Sequence, residues 1–168
     1  MGYLVVLLAF AGTPPFLPGL ALVALGESLR TWSAGILRKG EALATQGPYR
    51  FTRNPLYLGS LLSAIGLTAL AGNFLLLPVT LLAFGLLYHG MIKREERALI
   101  LQYGEDYRNY LESVPRYLLP ISSFPPHATP ARFTWQTVLQ NGEHRTWLGL
   151  AAFIGLLVLR TAILPPAH

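Results

Sequence analysis

The chain has 168 residues, 52% of them hydrophobic and only 12% charged, with a formal net charge of +5 and a mean hydropathy of +0.43. An average soluble domain carries about a quarter charged residues, and a domain this small buries only about two-thirds of its unfolded surface. The composition excludes disorder, argues against a soluble enzyme, and points to a single membrane domain over residues 1–168.

A bilayer core of about 30 Å needs about 20 helical residues to cross it. Residues 3–11 are apolar but too short to span alone. Pro14, Pro15 and Pro18 follow them, which predicts a kinked extension or a shortened first helix. No basic stretch precedes them, so no cleavable signal peptide is expected. Four longer apolar segments follow, at 16–34, 56–71, 74 to about 92, and 146–164. The predicted fold is therefore all-α, a polytopic bundle of four or five transmembrane helices. Gly72-Asn73 is a tight-turn signal and predicts an antiparallel hairpin of the second and third spans. Ser60, Ser63, Ala64 and Gly66 give the second span a small-residue face for close packing. Between the spans, residues 35–55 read as a Gly/Pro-containing loop. The charged and aromatic stretch 93–116 reads as helical at least to Tyr103, with Gly104 as a stop or kink. Residues 120–132 read as a loop and 132–140 as a short interfacial helix.

Lys and Arg set the orientation. Arg30, Arg38, Lys39, Arg50 and Arg53 lie between the first two long spans, and Lys93, Arg94, Arg97, Arg108, Arg116, Arg132 and Arg145 between the third and last. Only Arg160 remains for the other side, so twelve of thirteen cations share one face, which the positive-inside rule makes cytoplasmic. The expected anionic partners are lipid headgroups rather than nucleic acid. Cysteine is absent, which removes disulfides, thiolate metal sites and a cysteine nucleophile. His89, His127, His144 and His168 form no HxH or HxxxH pair, so no metal site is expected.

Two motifs on the cytoplasmic side carry chemistry. The first is Gly47-Pro48-Tyr49-Arg50-Phe51-Thr52-Arg53-Asn54-Pro55-Leu56-Tyr57-Leu58-Gly59. Pro55 suits a first helical turn and Asn54 an N-cap, and the helix start would present free N–H groups to an anion. A capped helix with interfacial arginines and tyrosines is the bland alternative. The second runs from Lys93-Arg94-Glu95-Glu96-Arg97 through Leu99, Tyr103-Gly104-Glu105-Asp106-Tyr107 and Tyr110 to Val114-Pro115-Arg116. Adjacent glutamates point about 100° apart on a helix, so at most one is expected to face a given cavity. A solvated helix end with charge pairs four residues apart is the plain reading of that stretch. Glu27 lies late in the first long span, where an acid is costly. It either pairs with Arg30 one turn later or lines an entry between helices. His89, near the cytoplasmic end of the third span, is a base candidate if the nucleophile arrives protonated, or a histidine packed for structural reasons.

Together these motifs resemble the isoprenylcysteine carboxyl methyltransferase family and its relatives, which include phospholipid N-methyltransferases. The family pattern is roughly GPYxxxRHPxYxG, a helical hairpin, then EExxLxxxFGxxYxxYxxxVPR. Here the chain reads GPYRFTRNPLYLG and EERALILQYGEDYRNYLESVPR, over about residues 47–116. Asn54 stands where the family often has histidine, and Tyr103 where it has phenylalanine. The position matching an arginine of the eukaryotic carboxyl methyltransferases falls near His89, leaving His89, Lys93 and Arg94 as candidates for its role.

The resemblance implies a family-like core at about 16–120, with the helix at 146–164 outside it. It also implies S-adenosylmethionine as cofactor, bound by helix caps and not by a Rossmann fold. The implied cofactor site comprises Gly47, Tyr49, Arg53, Asn54, Pro55, Tyr57, Leu58, Gly59, Tyr88, Glu95, Glu96 and Tyr107, with Tyr110 as a further aromatic. His89, Arg94 and Glu27 are the catalytic candidates, and Arg116 is expected to close the pocket or to anchor a lipid phosphate. The acceptor implied is lipophilic: a prenylated cysteine carboxylate, a phospholipid amine, or another hydrophobic thiol, amine or hydroxyl. The implied location is a prokaryotic cytoplasmic membrane, with the site facing the cytoplasm. An NADPH-dependent membrane reductase of related architecture and a non-catalytic membrane module are the competing readings.

Overall fold

A computed structural model describes residue 4 and residues 16–117 and 132–163. Among these, six α-helices and no strand are found: α1 (Phe16–Ile36), α2 (Pro55–Leu70), α3 (Leu76–Tyr103), α4 (Glu105–Ser113), α5 (Trp135–Gln140) and α6 (Glu143–Ile163), with a 3-10 turn at Gly47–Arg50 before α2. The expectations for residues 3–11 and for the loop at 120–131 fall outside the described residues, Leu4 apart, as do His127 and His168.

One described helix, α3, is long and apolar enough to cross a membrane on length and composition. Four or five were expected. The difference has physical sources. α2 is apolar but has 16 residues, roughly 24 Å of helix at 1.5 Å per residue, short of a bilayer core of about 30 Å. α1 carries Glu27 and Arg30 in its second half, and α6 opens on Glu143-His144-Arg145.

α1 and α2 pack antiparallel at very short range. Glycines sit opposite each other in two pairs: a Cβ on Gly19 would lie 3.0 Å from the Gly66 carbonyl oxygen, and one on Gly59 would lie 2.7 Å from that of Gly26. The small-residue face read on the second span is thus one half of the contact, and Gly19 and Gly26 of α1 supply the other half. Below this seam Val23, Leu67, Leu70 and Ala71 form a core with Phe153 and Leu157 of α6. α2 turns into α3 through Gly72 (φ +68°) and Asn73, whose side chain accepts from Leu75 N at 3.1 Å. Thr68 and Thr80 hydroxyls meet across this hairpin at 2.8 Å. Outward, α3 leaves Leu82, Leu86 and Leu87 exposed, an apolar surface of the kind that lipid covers.

A buried polar cluster fastens α6 to this core. Arg30 Nε and Nη2 donate to the Glu143 carboxylate at 3.1 and 2.9 Å, and its Nη1 donates to Ser60. Glu27 is 3.8 Å from Arg30 Nε and accepts from Ser63 Oγ at 2.8 Å. Arg30 therefore has a stronger partner than the one expected a turn away. Removing one member of a buried pair leaves an uncompensated charge that costs about 3–5 kcal/mol. Glu143→Ala should lower unfolding stability by that amount in detergent, and Glu27→Gln, which keeps an acceptor for Ser63, by about 1 kcal/mol. Equal losses would contradict the bidentate assignment.

The short α5 was expected at 132–140 and occupies its C-terminal part, capped by Thr134, whose hydroxyl accepts from Thr137 N. Thr134 N donates to Gly35 O, and Asn141 Nδ2 donates to the carbonyls of Ala34 and Leu37, both at 2.8 Å. These bonds satisfy carbonyls that the end of α1 would otherwise leave without partners. They also anchor Leu37, where the chain leaves α1.

Candidate active site

The first motif begins with a sharp turn. Gly47 adopts φ +56°, and a Cβ on it would stand 2.4 Å from Ile36 Cδ1 and 3.2 Å from Trp32 Nε1, so the Pro48–Arg50 turn folds back over the end of α1. Tyr49 and Pro48 are buried by this turn. α2 then starts at Pro55, as its missing N–H and fixed φ favour. Asn54 precedes it but makes no side-chain cap. Its Nδ2 instead donates to Arg116 O at 3.1 Å, beside Thr52 Oγ1 at 3.0 Å. Arg53 N donates to Pro115 O at 3.0 Å. The expected N-cap is therefore a tie between the first motif and the Val114-Pro115-Arg116 strap.

The second motif is split by Gly104, where φ +55° ends α3 and a new direction begins. Glu105 and Asp106 occupy the first turn of α4, where the helix dipole favours acids. Tyr107, Tyr110 and Val114 form its buried face, and Tyr110 Oη donates to Tyr49 O at 2.7 Å. α4 is thus clamped against the turn that opens the first motif.

Glu96 sits at the centre. It is 7% exposed, accepts from Arg116 Nε at 3.0 Å and Nη2 at 2.5 Å, and stands 3.6 Å from Arg53 Nη1. The hydrogen bond from Arg116 to Glu96 raises the guanidinium pKa further. Glu95, one position earlier, is exposed and accepts from Tyr57 Oη at 2.8 Å. Both glutamates line the same cavity, contrary to the expectation that at most one would. The cavity wraps around the end of α3 and so meets side chains about 100° apart on it.

That polar cavity is walled by residues 37–40 and 42–44 on one side. Tyr49, Arg53, Asn54, Pro55 and Tyr57 wall the second side, and Glu95, Glu96, Leu99, Tyr107 and Tyr110 the third. Two buried polar atoms on its walls have no protein partner, Tyr49 Oη and Arg53 Nε. A second, more apolar cavity lies between α2 and α3, lined by Leu58, Leu61, Leu81, Phe84, Tyr88, His89 and Tyr117. Asn54 and Tyr57 line both cavities. Tyr57 packs edge-on to Tyr88 with centroids 5.3 Å apart, and Phe84 stacks on Tyr88 at 4.0 Å.

Eight of the residues implied as cofactor ligands therefore meet in the polar cavity: Tyr49, Arg53, Asn54, Pro55, Tyr57, Glu95, Glu96 and Tyr107. Leu58 and Tyr88 face the apolar cavity instead. Gly47 serves the turn and Gly59 the contact with α1, and neither lines either of these two cavities. Of the catalytic candidates, His89 lines the apolar cavity. Arg94 and Lys93 are exposed and line neither cavity, and Glu27 lies within the α1–α2–α6 cluster. Tyr117 and the wall at 37–44 were not singled out in the sequence, because neither carries a motif. Only the proximity of Tyr117 to Arg116 marks it. Among the described residues, no group of three or more His, Asp or Glu stands together as a metal site.

Burial pushes the phenols of Tyr49 and Tyr110 up, and burial followed by the Glu96 charge pushes Tyr107 up to about 12. An unfolded phenol ionises near 10, so above that pH the unfolded chain sheds protons that the folded chain keeps. Stability from these groups is complete below about pH 10 and is lost as pH rises towards 12. An absorbance titration of the eight tyrosines should show a late class that ionises together with unfolding. A single transition near 10 with the fold intact would contradict this.

The helical hairpin thus carries two adjoining cavities, one at its charged end and a more apolar one along its side. The family model for phospholipid methyltransferase matches residues 16–106, and the chain belongs to that family. Relatives include the cobalt-zinc-cadmium resistance protein CzcN of Cupriavidus metallidurans, 33% identical over 83% of this chain and 64% of its own length. The nickel-cobalt-cadmium resistance protein NccN of Alcaligenes xylosoxydans xylosoxydans is 30% identical over 66% of this chain and 53% of its own. The protein-S-isoprenylcysteine O-methyltransferase of Schizosaccharomyces pombe is 31% identical over 64% and 46%. The chain thus spans between about half and two-thirds of the length of these relatives.

Proposed function

We propose that the protein is an S-adenosylmethionine-dependent membrane methyltransferase that modifies a lipophilic acceptor. The observation that carries this reading is the pair of cavities sharing Asn54 and Tyr57. One is lined by charge and aromatic rings, and the other opens along the helix whose outer face is leucine-rich.

The polar cavity suits the cofactor on its donor set. Arg53 and the N-terminus of α2 would hold a carboxylate. Tyr49 Oη and Arg53 Nε are buried with no protein partner, and groups of that kind need one. Glu95 would take an ammonium or ribose hydroxyls. The tyrosine faces suit a sulfonium. When bound, the cofactor supplies a methyl group activated by positively charged sulfur. The chain's own part is to hold acceptor and cofactor in line across Asn54 and Tyr57 and to exclude water there, from which most of the rate can come. By the distribution of Lys and Arg, this end faces the cytoplasm.

The isoprenylcysteine relative makes a prenylated cysteine carboxylate the first acceptor to test. A phospholipid amine is the second reading, favoured by an apolar cavity with no Lys or Arg among its described lining residues to meet a carboxylate. The names of the two bacterial relatives speak of metal resistance and specify no reaction. The test is incubation of the purified chain with radiolabelled S-adenosylmethionine and extracted membrane lipids, with the product identified by mass. Binding of S-adenosylhomocysteine without binding of NADPH supports a methyltransferase. The reverse makes it a reductase.

A further inference from the structure

A further cavity lies where α1 ends against α5, and the methyl-transfer reading leaves it unused. Its volume is about 420 Å³, within the usual range for a small-molecule site. Arg38, Lys39 and Glu41 line one side, and Gln136 and Gln140, one turn apart on α5, line the other. The neighbouring face of α5 carries Trp135 and Leu139, also one turn apart and exposed, with Phe133 edge-on to Trp135 at 5.1 Å. Leu37, Arg38 and Lys39 line the polar cavity as well, so one stretch of chain is the wall between the two spaces. We propose that this further cavity holds the headgroup of an anionic phospholipid, and that its occupancy tightens binding of the cofactor across the wall at 37–39.

The coupling rests on the methyltransferase reading, whereas the lipid site stands on its own residues. Two cations and one acid line it, which leaves the lining positive. Arg38 Nη1 is 4.0 Å from Glu41 Oε2, and both side chains are exposed. Such a contact contributes little and yields to a phosphate, which binds a guanidinium more strongly. Gln136 and Gln140 add amide donors, and Glu41 can accept from a headgroup hydroxyl. General attraction of a basic face for anionic lipid needs no cavity, whereas this arrangement is a discrete site. The phosphate arrives on a lipid because the site is flanked by Phe133, Trp135 and Leu139, side chains of the kind that settle at headgroup level. The shared wall is a short turn. Leu37 O accepts from Asn141 Nδ2 at 2.8 Å, Gly40 has φ +80°, and Glu41 N donates to Arg38 O at 3.3 Å. S-adenosylmethionine carries more positive than negative charge, so Arg38 and Lys39 oppose it from the wall. A lipid phosphate neutralises them and removes that opposition, and linkage makes the effect reciprocal. S-adenosylhomocysteine lacks the sulfonium charge and gains less.

The test places the full chain in vesicles of phosphatidylcholine, alone or mixed with phosphatidylglycerol, and measures cofactor affinity by calorimetry. Phosphatidylglycerol should tighten S-adenosylmethionine about fivefold, the low end of usual coupling between sites, and S-adenosylhomocysteine by less. Gln140→Trp fills the cavity from an exposed position. It should abolish that response and leave affinity in phosphatidylcholine unchanged. Gln136→Glu supplies the negative charge permanently, so it should tighten S-adenosylmethionine in phosphatidylcholine and leave phosphatidylglycerol little to add. A phosphatidylglycerol with a photoreactive headgroup should label residues 38–41 and 136–140, and Gln140→Trp should suppress the label. Labelling spread evenly over the exposed cations Lys93, Arg94 and Arg97 overturns the proposal. So does an S-adenosylmethionine affinity indifferent to phosphatidylglycerol or to Gln136→Glu, a response that survives Gln140→Trp, or the same response to soluble glycerol phosphate. If the chain binds neither cofactor in any vesicle, the methyltransferase reading falls and the coupling with it, and the photolabel alone decides the lipid site.

Discussion

Glu96→Gln should weaken binding of S-adenosylhomocysteine on the order of 10²-fold, the largest loss expected from any single change in the polar cavity. The carboxylate is buried and balances two guanidiniums, Arg53 and Arg116. Removing one partner of a buried charge pair costs about 3–5 kcal/mol, chiefly because the other charge is stranded, and about 1.4 kcal/mol corresponds to tenfold in affinity. Glutamine keeps the shape and one acceptor but loses the charge. Arg116 is then released, and with its backbone tied to Thr52 and Asn54 the wall beside α2 shifts too. Glu105→Gln is the control. It alters only an exposed pair with Arg108 outside the cavity and should cost less than about fivefold, as exposed charged contacts do. Equal effects of the two, measured by calorimetry on the detergent-solubilised protein, would place the cofactor away from Glu96.

Gly26→Leu should prevent stable folding, with a loss of about 3 kcal/mol or more, at the upper end of overpacking costs. A Cβ at residue 26 would stand 2.6 Å from the Gly59 carbonyl oxygen and 2.7 Å from Ser63 N. Both are backbone atoms of a helix and cannot step aside as a side chain can. The helices must separate, and the tight backbone approach that stabilises association in an apolar setting is lost. Gly149→Leu and Gly155→Leu on α6 meet nothing within 4 Å and should change stability by no more than about 0.5 kcal/mol. Unfolding monitored by circular dichroism in detergent separates the cases. Comparable stability of the residue 26 and residue 155 variants would refute the close-packed seam.

The contrast between these glycines shows where sequence reasoning stops. Gly59 lies inside the first motif and was assigned to the cofactor with its neighbours, whereas the structure places it against Arg30 and Gly26. A glycine records that something comes close, and only the partner's position tells whether that is a ligand or a helix. Asn54 shows the same limit. Its place before Pro55 satisfies a local capping rule, but a carbonyl 62 residues away is the better partner. For Glu27 the sequence offers Arg30 or an entry between helices, and not the Arg30–Glu143 pair, since Glu143, 113 residues beyond Arg30, has no periodic relation to it. Glu95 and Glu96 reach one cavity although they point about 100° apart, because the cavity lies around the end of α3 and not along one side of it.

Other features were legible because they are local. Pro55 starts α2, Gly72-Asn73 turns it into α3, and Gly104 ends α3, each through backbone dihedrals that those residues favour whatever surrounds them. The apolar runs specified an all-helical chain. The two motifs named eight residues that do share one cavity, though 58 positions separate Tyr49 from Tyr107. The sequence by itself determined that the described chain is helical, where α2 starts and where α3 ends, and that most of its scarce charged residues, 12% of the chain, lie outside the apolar runs. Tertiary structure alone decided which of those residues pair and that two cavities meet at Asn54 and Tyr57. It also decided that Tyr117 Oη stands 3.3 Å from His89 Nδ1. The reason is that dihedral preference and periodicity act within a few residues, whereas pairing a buried charge or hydroxyl depends on which distant group the packed helices bring within about 3 Å.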